Sequence, residues 1–257
     1  MHPKSFQFAW LGIIAGWFFG TACVLGEDNT PLLRQAAVVA ERGQHTEAIQ
    51  LLDMLLKREP DHSYALYLRG REQLRIGKIA EAVADLNQHV KLSPKLESRQ
   101  WERGIAFYYA GEFAAGAKQF EDYQTFHNQD VENSVWRFLC SAKIEGIAKA
   151  RANMLPIERD PRVPMMEVYE LYRGKKTPAE VFAAAQAGMP TADDLKVRMF
   201  YANLYVALYY DASGDLKKAQ ELINQAAAQA DVADYMGDIA RVHAQHLQQR
   251  TAEKAVK

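Results

Sequence analysis

Small and bulky apolar residues recur along the chain with a period of about 34 residues, and this pattern predicts most of its fold. In each period a glycine precedes a small residue, a bulky residue and a helix-stopping residue at fixed spacing. The three sets are Gly43, Ala48, Leu52 and Pro60; Gly77, Ala82, Leu86 and Pro94; and Gly111, Gly116, Phe120 and Asn128. Helix–turn–helix units with such a period bury their apolar faces only by stacking. We therefore predict an all-α solenoid of stacked antiparallel helix pairs.

Each position in the repeat has a physical reason, which the first unit illustrates. Pro31 suits the first position of helix A, because the missing N–H has no intrahelical partner there anyway. Gly43 suits the turn, where a left-handed residue ends the helix. Ala48 is predicted at the closest crossing of helices A and B, and Pro60 stops helix B. Three such units are predicted to fill residues 27–130.

Beyond residue 130 the period loosens, but helical patterns continue and no strand pattern occurs. Residues 131–195 are predicted to form divergent helical units with a proline-rich elbow at 155–164. Gly214, Ala219 and Ile223 restore the register for a last unit within 196–250. A closing helix over 232–246 is predicted to cap the array with a polar outer side, followed by a frayed tail at 251–257.

The first 26 residues have a different pattern, that of an export signal. Lys4 precedes an apolar run, and small residues follow it, so cleavage after Ala22 or Gly26 is predicted. A retained anchor is the alternative, since the run to Leu25 is about 20 residues, just long enough to span a bilayer. Lipidation at Cys23 is a third option, although Gly20 stands where a bulky aliphatic residue is expected. All three options predict an exported, periplasmic or envelope-associated protein.

The charge and the remaining reactive residues argue against several kinds of function. The chain has a formal net charge of −1, which disfavours nucleic-acid binding. Cys140 lies in an apolar helical stretch and is predicted to be a buried structural side chain. His243 and His246 share a helix face, but no Glu or Cys stands in ligand spacing with them. Since no catalytic or phosphate-binding motif is present either, we predict a protein without enzymatic activity, cofactor or metal.

The repeating unit resembles the tetratricopeptide repeat (TPR), and the fold class is therefore predicted to be a TPR-type α-solenoid. The third unit carries a more specific resemblance, through the stretches 103–111, 119–120, 128–130 and 134–139. These stretches, and later ones at 168–174 and 200–216, are similar to the NlpI family of bacterial outer-membrane lipoproteins. The resemblance spans about residues 30–246. It implies an all-helical envelope adaptor that docks a periplasmic protease and cell-wall hydrolases, often as a homodimer.

A partner-binding groove follows from the register of the helix A positions, one set of which faces the concave side of such an array. The predicted groove residues are Tyr64, Tyr67, Arg71, Arg75, Trp101, Ile105, Tyr108 and Tyr109. Tyr, Trp and Arg are the residues that dominate interface energetics. The alternative for some of these aromatics, especially Tyr108, is packing against neighbouring helices. The Lys/Asn clamp that grips a C-terminal carboxylate is absent from these positions, which favours an extended or helical peptide partner.

The sequence thus predicts an adaptor that binds a protein or peptide partner in the cell envelope, with membrane contact only through its N-terminal segment. Two other hypotheses stay open. The first is a structural envelope protein whose helices self-associate without a client. The second is an enzyme whose site lies in the elbow at 155–164, which a deep pocket with convergent titratable groups would favour.

Overall fold

The computed structural model describes residues 30–232 and 234–255, and no strand occurs within these ranges. The predicted export signal or anchor at 1–26, with Cys23, lies outside the described residues. Within the described part, none of the helices combines the length and the apolar character that a membrane crossing requires. The chain is therefore all-α, with the architecture of a TPR-type solenoid.

Three antiparallel helix pairs fill the first part of the described chain, as the period predicts. The pairs are α1 (Thr30–Glu41) with α2 (His45–Arg58), α3 (Ser63–Arg75) with α4 (Ile79–Leu92), and α5 (Trp101–Ala110) with α6 (Phe113–Phe126). A 3₁₀ helix, Pro94–Arg99, joins the second pair to the third. The turns at Gly43, Gly77 and Gly111 all have left-handed backbone with φ of 73–78°. A side chain would strain that conformation, which explains why glycine recurs there.

The closest helix crossings repeat with the same period. A Cβ atom on Gly70 would lie 2.8 Å from Cγ of Leu86, and one on Gly104 would lie 2.6 Å from the ring of Phe120. The predicted small residue Gly116 also lies at a crossing, because its Cβ would lie 2.8 Å from Sγ of Cys140. Cys140 itself is buried, as predicted, and burial raises its pKa to about 12. Small residues therefore set how closely the two helices of a unit approach.

Three arginines that recur once in each period fasten each unit to the one before it. Arg69 donates to Asp53 at 2.7 Å and to Asp85 at 2.6 and 2.8 Å. Arg103 donates to Asn87 and Gln119, both at 2.8 Å. Arg137 donates to Glu121 at 2.9 Å and to the carbonyl oxygen of Asn153 at 2.6 Å. In each case the partners stand 16 residues before and 16 residues after the arginine, so one side chain bridges two successive units.

The irregular middle of the chain follows the third pair. It contains α7 (Val131–Glu145), α8 (Ile147–Ala152), α9 (Met165–Tyr172) and α10 (Pro178–Gln186). Between α8 and α9, residues 153–164 contain no regular helix, and this irregular segment includes the elbow at 155–164. Thr177 and Glu180 form the reciprocal capping box that starts α10. This middle part places the elbow beside the N-terminus of α7.

The last pair is α11 (Ala192–Ser213) and α12 (Leu216–Ala228), and a short 3₁₀ helix, Ala230–Val232, leads to α13 (Asp234–Ala255). One expectation about this end is wrong, because the helix does not fray after residue 250 but runs to Ala255, and Arg250 pairs with Asp211 at 2.8 Å. The closing helix α13 packs on α12 and also reaches back to α3.

Candidate partner-binding site

The face on which the predicted groove residues lie is partly covered by α13. The ring of Tyr235 packs edge-on against Trp101, with ring centroids 4.9 Å apart. The guanidinium of Arg71 lies over the same tyrosine ring, at 4.9 Å from its centroid. Further along α13, the ring of His243 lies 6.0 Å from that of Tyr109. The chain's own helix therefore occupies much of the surface that the repeat pattern assigns to a partner.

A charged cluster joins the start of α13 to the first two units. Nε of Arg75 donates to Oδ2 of Asp238 at 2.6 Å, and His45 contacts both Glu72 at 2.6 Å and Asp238 at 3.2 Å. The hydrogen bonds to Asp238 and Glu72 raise the pKa of His45 to about 9. Its ionised partners lower the pKa of Asp238 to about 2, so both groups are charged at neutral pH. The cluster borders an open polar cavity of about 670 Å³.

Four of the predicted groove residues are largely buried or paired within the chain, although Ile105 still lines one wall of a pocket. Ile105, Tyr108 and Tyr109 are only 0%, 4% and 8% exposed, because they pack into the main core beneath α13 and against Trp136. The expectation that these three side chains are exposed is wrong, and the alternative of packing against neighbouring helices applies to them. Arg75 forms an ion pair with Asp238 in the charged cluster. The register placed these four residues on one face, and α13 covers this part of it.

Four other predicted residues lie where the face is still accessible, which we call the open face: Tyr64, Tyr67, Arg71 and Trp101. Tyr64 is 52% exposed, and its ring stacks on Tyr67 at 6.0 Å. The hydroxyl of Tyr67 donates to the buried carboxylate of Glu102 at 2.9 Å, and Nε of Arg71 lies 3.0 Å from the same oxygen. Burial raises the pKa of Glu102. Whether a partner binds these residues stays a prediction.

A pocket of about 210 Å³ opens beside Trp101, and we call it the inner pocket. It is lined by aromatic rings, two carboxylates, an amide and two apolar side chains: Trp101, Ile105, Phe120, Tyr123, Asp130, Glu132, Asn133, Trp136 and Met236. Its walls come from α5, α6, α7 and α13. Because Met236 belongs to α13, docking of that helix completes the pocket.

The elbow forms a second, larger cavity next to the inner pocket, and Tyr123 and Asp130 line both. This outer cleft has a volume of about 610 Å³, and its remaining lining is His127, Gln129, Arg159, Asp160, Pro161 and Arg162. Arg162 ties the elbow to α7, since it contacts Asp160 at 2.6 Å, Asp130 at 2.7 Å and Glu132 at 3.3 Å. One guanidinium thus holds three carboxylates at the junction of the two cavities.

The carboxylates around Arg162 differ in their ionisation. Asp160 accepts bonds from the side chain and backbone of Arg162 and from the N–H of Val131, and these bonds keep its pKa below the usual value. Burial instead raises the pKa of Glu132 to about 6, although Tyr205 donates a 2.7 Å hydrogen bond to it. Glu132 therefore titrates closer to neutral pH than Asp160 does.

The other residues considered from sequence lie away from this site. His243 is buried, and its Nδ1 lies 3.3 Å from the hydroxyl of Tyr109. Its Nε2 lies 3.7 Å from Asp211, and burial lowers its pKa to about 4. Within residues 30–232 and 234–255, no three His, Cys, Asp or Glu side chains come together as metal ligands.

Sequence reasoning included Trp101 and Ile105 of the inner pocket but missed its charged residues and the residues that form the outer cleft. Glu132 and Arg162 come from a helix start and from an irregular segment, so no repeat register relates them. One local signal was present, because Asp130 precedes the apolar helix α7 and acts as its N-cap. The sequence predicts the elbow at 155–164 only as an irregular segment in which an enzyme site could lie, and it assigns none of its polar residues to that site.

Comparisons with known proteins give limited information about the chain. No family model matches it. A human protein described as FK506-binding protein-like is 42% identical over 62 residues, which are 24% of this chain and 18% of that protein's length. Among solved structures, a thermophilic TPR protein of Thermus thermophilus is 18% identical, covers 82% of this chain and 98% of its own, and has a TM-score of 0.43. A second solved structure, Naa15/Naa10 bound to HypK-THB, is 16% identical to this chain. The match covers 88% of this chain and 36% of the chain in that structure, with a TM-score of 0.38.

Proposed function

We propose that this protein is a non-enzymatic scaffold that binds a protein partner on its open face. The observation that supports this proposal is the accessible aromatic set of Tyr64, Tyr67 and Trp101, in which Tyr64 is 52% exposed, Tyr67 and Trp101 are partly buried, and Trp101 also lines the inner pocket. Aromatic side chains at the edge of a pocket are the usual anchors of protein interfaces. Stacked helical repeats supply an extended rigid surface for such contacts.

The cellular setting of this function is also part of the proposal. The N-terminal pattern at 1–26 favours export, and the resemblance of the third unit to the NlpI family favours an adaptor in the bacterial envelope. In that setting the partner is a periplasmic protease or a cell-wall hydrolase. Intact-mass measurement of the native protein tests the export step, because a mass that includes Met1 contradicts cleavage.

A hydrolase is the second candidate, because Asp130, Glu132 and Asp160 converge at the elbow and Glu132 has a raised pKa. Acid–base hydrolysis requires a second group free to act with the acid. Both oxygens of Asp160 accept hydrogen bonds from Arg162, and Asp130 caps α7 while it also pairs with Arg162. Arg162 thus pairs with all three carboxylates and holds Asp160 through both of its oxygens, and this arrangement favours binding over catalysis.

Site-specific photocrosslinking tests the scaffold function. A benzoylphenylalanine is introduced in place of Tyr64 on the open face and, in a matched control, in place of Ile144, which is 58% exposed at the end of α7. We expect a discrete crosslinked product from position 64 and not from position 144 in cells of the source organism. Mass spectrometry then identifies the partner.

The same experiment separates the competing hypotheses. A product of twice the protein's own mass, containing only its own peptides, supports the self-associating structural protein instead. Equal crosslinking from both positions, or none from position 64, contradicts a partner-binding open face. Because Tyr64 lies outside the core, its replacement leaves the packing of the helices unchanged.

A further inference from the structure

The inner pocket combines aromatic rings with carboxylates and, among the described residues, no lysine or arginine lines it. Trp101, Tyr123 and Trp136 contribute rings, and Asp130 and Glu132 contribute negative charge. Aromatic faces attract cations through their quadrupole, and a nearby carboxylate adds a charge-assisted hydrogen bond. This combination of lining residues suits a cation that carries an aliphatic stem.

The size of the inner pocket limits what can enter it. Sites for small molecules usually enclose about 300–1,000 Å³. The inner pocket, at about 210 Å³, is smaller than that range and matches one long side chain. The neighbouring outer cleft is wider, carries charges of both signs and accommodates the residues on either side of the inserted one.

Glu132 has the capacity to bind an additional donor. An ionised carboxylate offers about four acceptor positions. Tyr205 uses one position on Oε1, at 2.7 Å, and Arg162 approaches Oε2 at 3.3 Å. A further cation in the inner pocket can therefore share the carboxylate without displacing either neighbour.

We propose that the inner pocket binds a lysine or arginine side chain of the partner, with its charge at Glu132 and its stem against Trp101, Ile105 and Met236. The proposal rests on the scaffold function and specifies the chemistry that the partner must present. The partner segment is basic at its anchor position. A neutral or acidic residue there lacks the charge-assisted hydrogen bond that a basic side chain can add at Glu132.

The ionisation of Glu132 makes this binding sensitive to pH. The groups that face Glu132 are Asp130 on α7, Asp160 and Arg162 on the elbow, Tyr123 on α6, and Tyr201 and Tyr205 on α11; His127 lines the outer cleft. With a pKa of about 6, Glu132 is mostly ionised at pH 7.5 and mostly protonated at pH 5. Affinity for a cationic side chain is therefore expected to fall as the pH decreases through 6.

The tryptophans of the chain provide a direct readout. The protein has four, and two of them, Trp101 and Trp136, line the inner pocket. Replacing Trp10 and Trp17 by Phe in the full-length chain leaves emission only from the pocket. The probes are N-acetylated, amidated pentapeptides with Gly-Ser on one side and Ser-Gly on the other side of a central Lys, Arg, N-acetyl-lysine or norleucine.

We expect saturable changes in tryptophan emission with the Lys and Arg peptides at pH 7.5. The two neutral peptides should bind on the order of tenfold more weakly, as loss of a charged hydrogen bond predicts. The substitution Glu132→Gln should abolish this preference and the decrease in affinity between pH 7.5 and pH 5. Glu145→Gln, an exposed change on the same helix, is the matched control and should bind as the unsubstituted protein does.

The outcomes distinguish the pocket from the scaffold function. If neither basic peptide saturates the change in emission up to about 10 mM, the binding free energy is less than about 3 kcal/mol, and the proposal is overturned. Equal affinity for the Lys and norleucine peptides also overturns it. If Glu132→Gln does not fold, the pH dependence of the unsubstituted pocket decides, because binding unaffected between pH 5 and 7.5 contradicts the assignment. Crosslinking from position 64 depends on none of these results, so the scaffold function can stand while the pocket assignment fails.

Discussion

Two histidines lie where α13 meets the earlier helix pairs, and they have opposite ionisation. His45 contacts Glu72 and Asp238 beside an open polar cavity, and its pKa is raised to about 9. His243 is fully buried next to Tyr109, and its pKa is lowered to about 4. The carboxylate that faces His243, Asp211, already accepts two hydrogen bonds from Arg250. The surroundings, and not the residue type, therefore decide whether a histidine contributes a charge or a packed neutral ring.

The comparison shows that α13 is held by two different kinds of contact. Around Asp238 the contact is electrostatic and accessible to water, so that pH and salt affect it. Around His243 the contact is desolvated and depends on shape, because neighbouring side chains such as Leu247 and Ala240 are buried in the main core. Since α13 covers part of the predicted groove and completes the inner pocket, both contacts also control the binding site.

The largest effect is expected at the packed contact. Leu247 is one helical turn beyond His243 and is fully buried. Leu247→Ala should lower the free energy of unfolding by about 2–5 kcal/mol, through lost burial and the cavity left behind. Urea denaturation followed by circular dichroism measures this change. A change below about 1 kcal/mol would mean that α13 is not packed on the core at this point.

A smaller effect is expected at the charged contact. Asp238→Asn removes the charge that Arg75, Arg241 and His45 share. We expect a loss of about 1–2 kcal/mol at pH 7, less than the roughly 3–5 kcal/mol typical of a fully buried pair, because the cavity admits water. The loss should shrink as salt is added, whereas that of Leu247→Ala should not. An equal salt response in both variants contradicts the distinction between the two contacts.

The repeat period predicted the parts of the fold that depend on neighbouring units. Gly43, Gly77 and Gly111 all lie in left-handed turns, and Gly116 lies at a close crossing, because every unit meets its neighbour in the same way. The three arginines that bridge successive units could also have been predicted. Arg69, Arg103 and Arg137 share the period, and a polar partner recurs at the same separation on either side of each of them.

The position of α13 could not be predicted in this way. Arg75 and Asp238 are 163 residues apart, and α13 has no counterpart elsewhere in the repeat from which its docking could be read. Its sequence shows a helix with a polar side after the last pair, which fits a capping role equally well. The groove prediction therefore failed at Ile105, Tyr108 and Tyr109, which α13 and Trp136 cover. The inner pocket depends on the same long-range contact through Met236.

The smallest expected effect concerns pH, and it distinguishes the two histidines directly. The pKa of His45 is about 9 in the folded protein, against an ordinary value of 6.5. Its stabilisation is therefore complete below pH 6.5 and is lost as the pH rises through 9. We expect the free energy of unfolding to fall by about 1 kcal/mol over this range, less than the shift alone implies, because the cavity exposes the cluster to water.

The two histidine variants separate these contributions. His45→Gln should remove the alkaline decrease in stability, because it lowers the free energy of unfolding by a constant amount below pH 6.5 and leaves the shape of the acid side unchanged. His243 has a lowered pKa, so its contribution is complete above pH 6.5 and is lost as the pH falls to about 4. His243→Gln should accordingly change only the acid side. Unfolding in urea at intervals between pH 4 and pH 9.5 measures the free energy of unfolding on the acid and the alkaline side of the profile. If His45→Gln keeps the alkaline decrease, another group causes it, and the charged contact of α13 does not depend on a protonated His45.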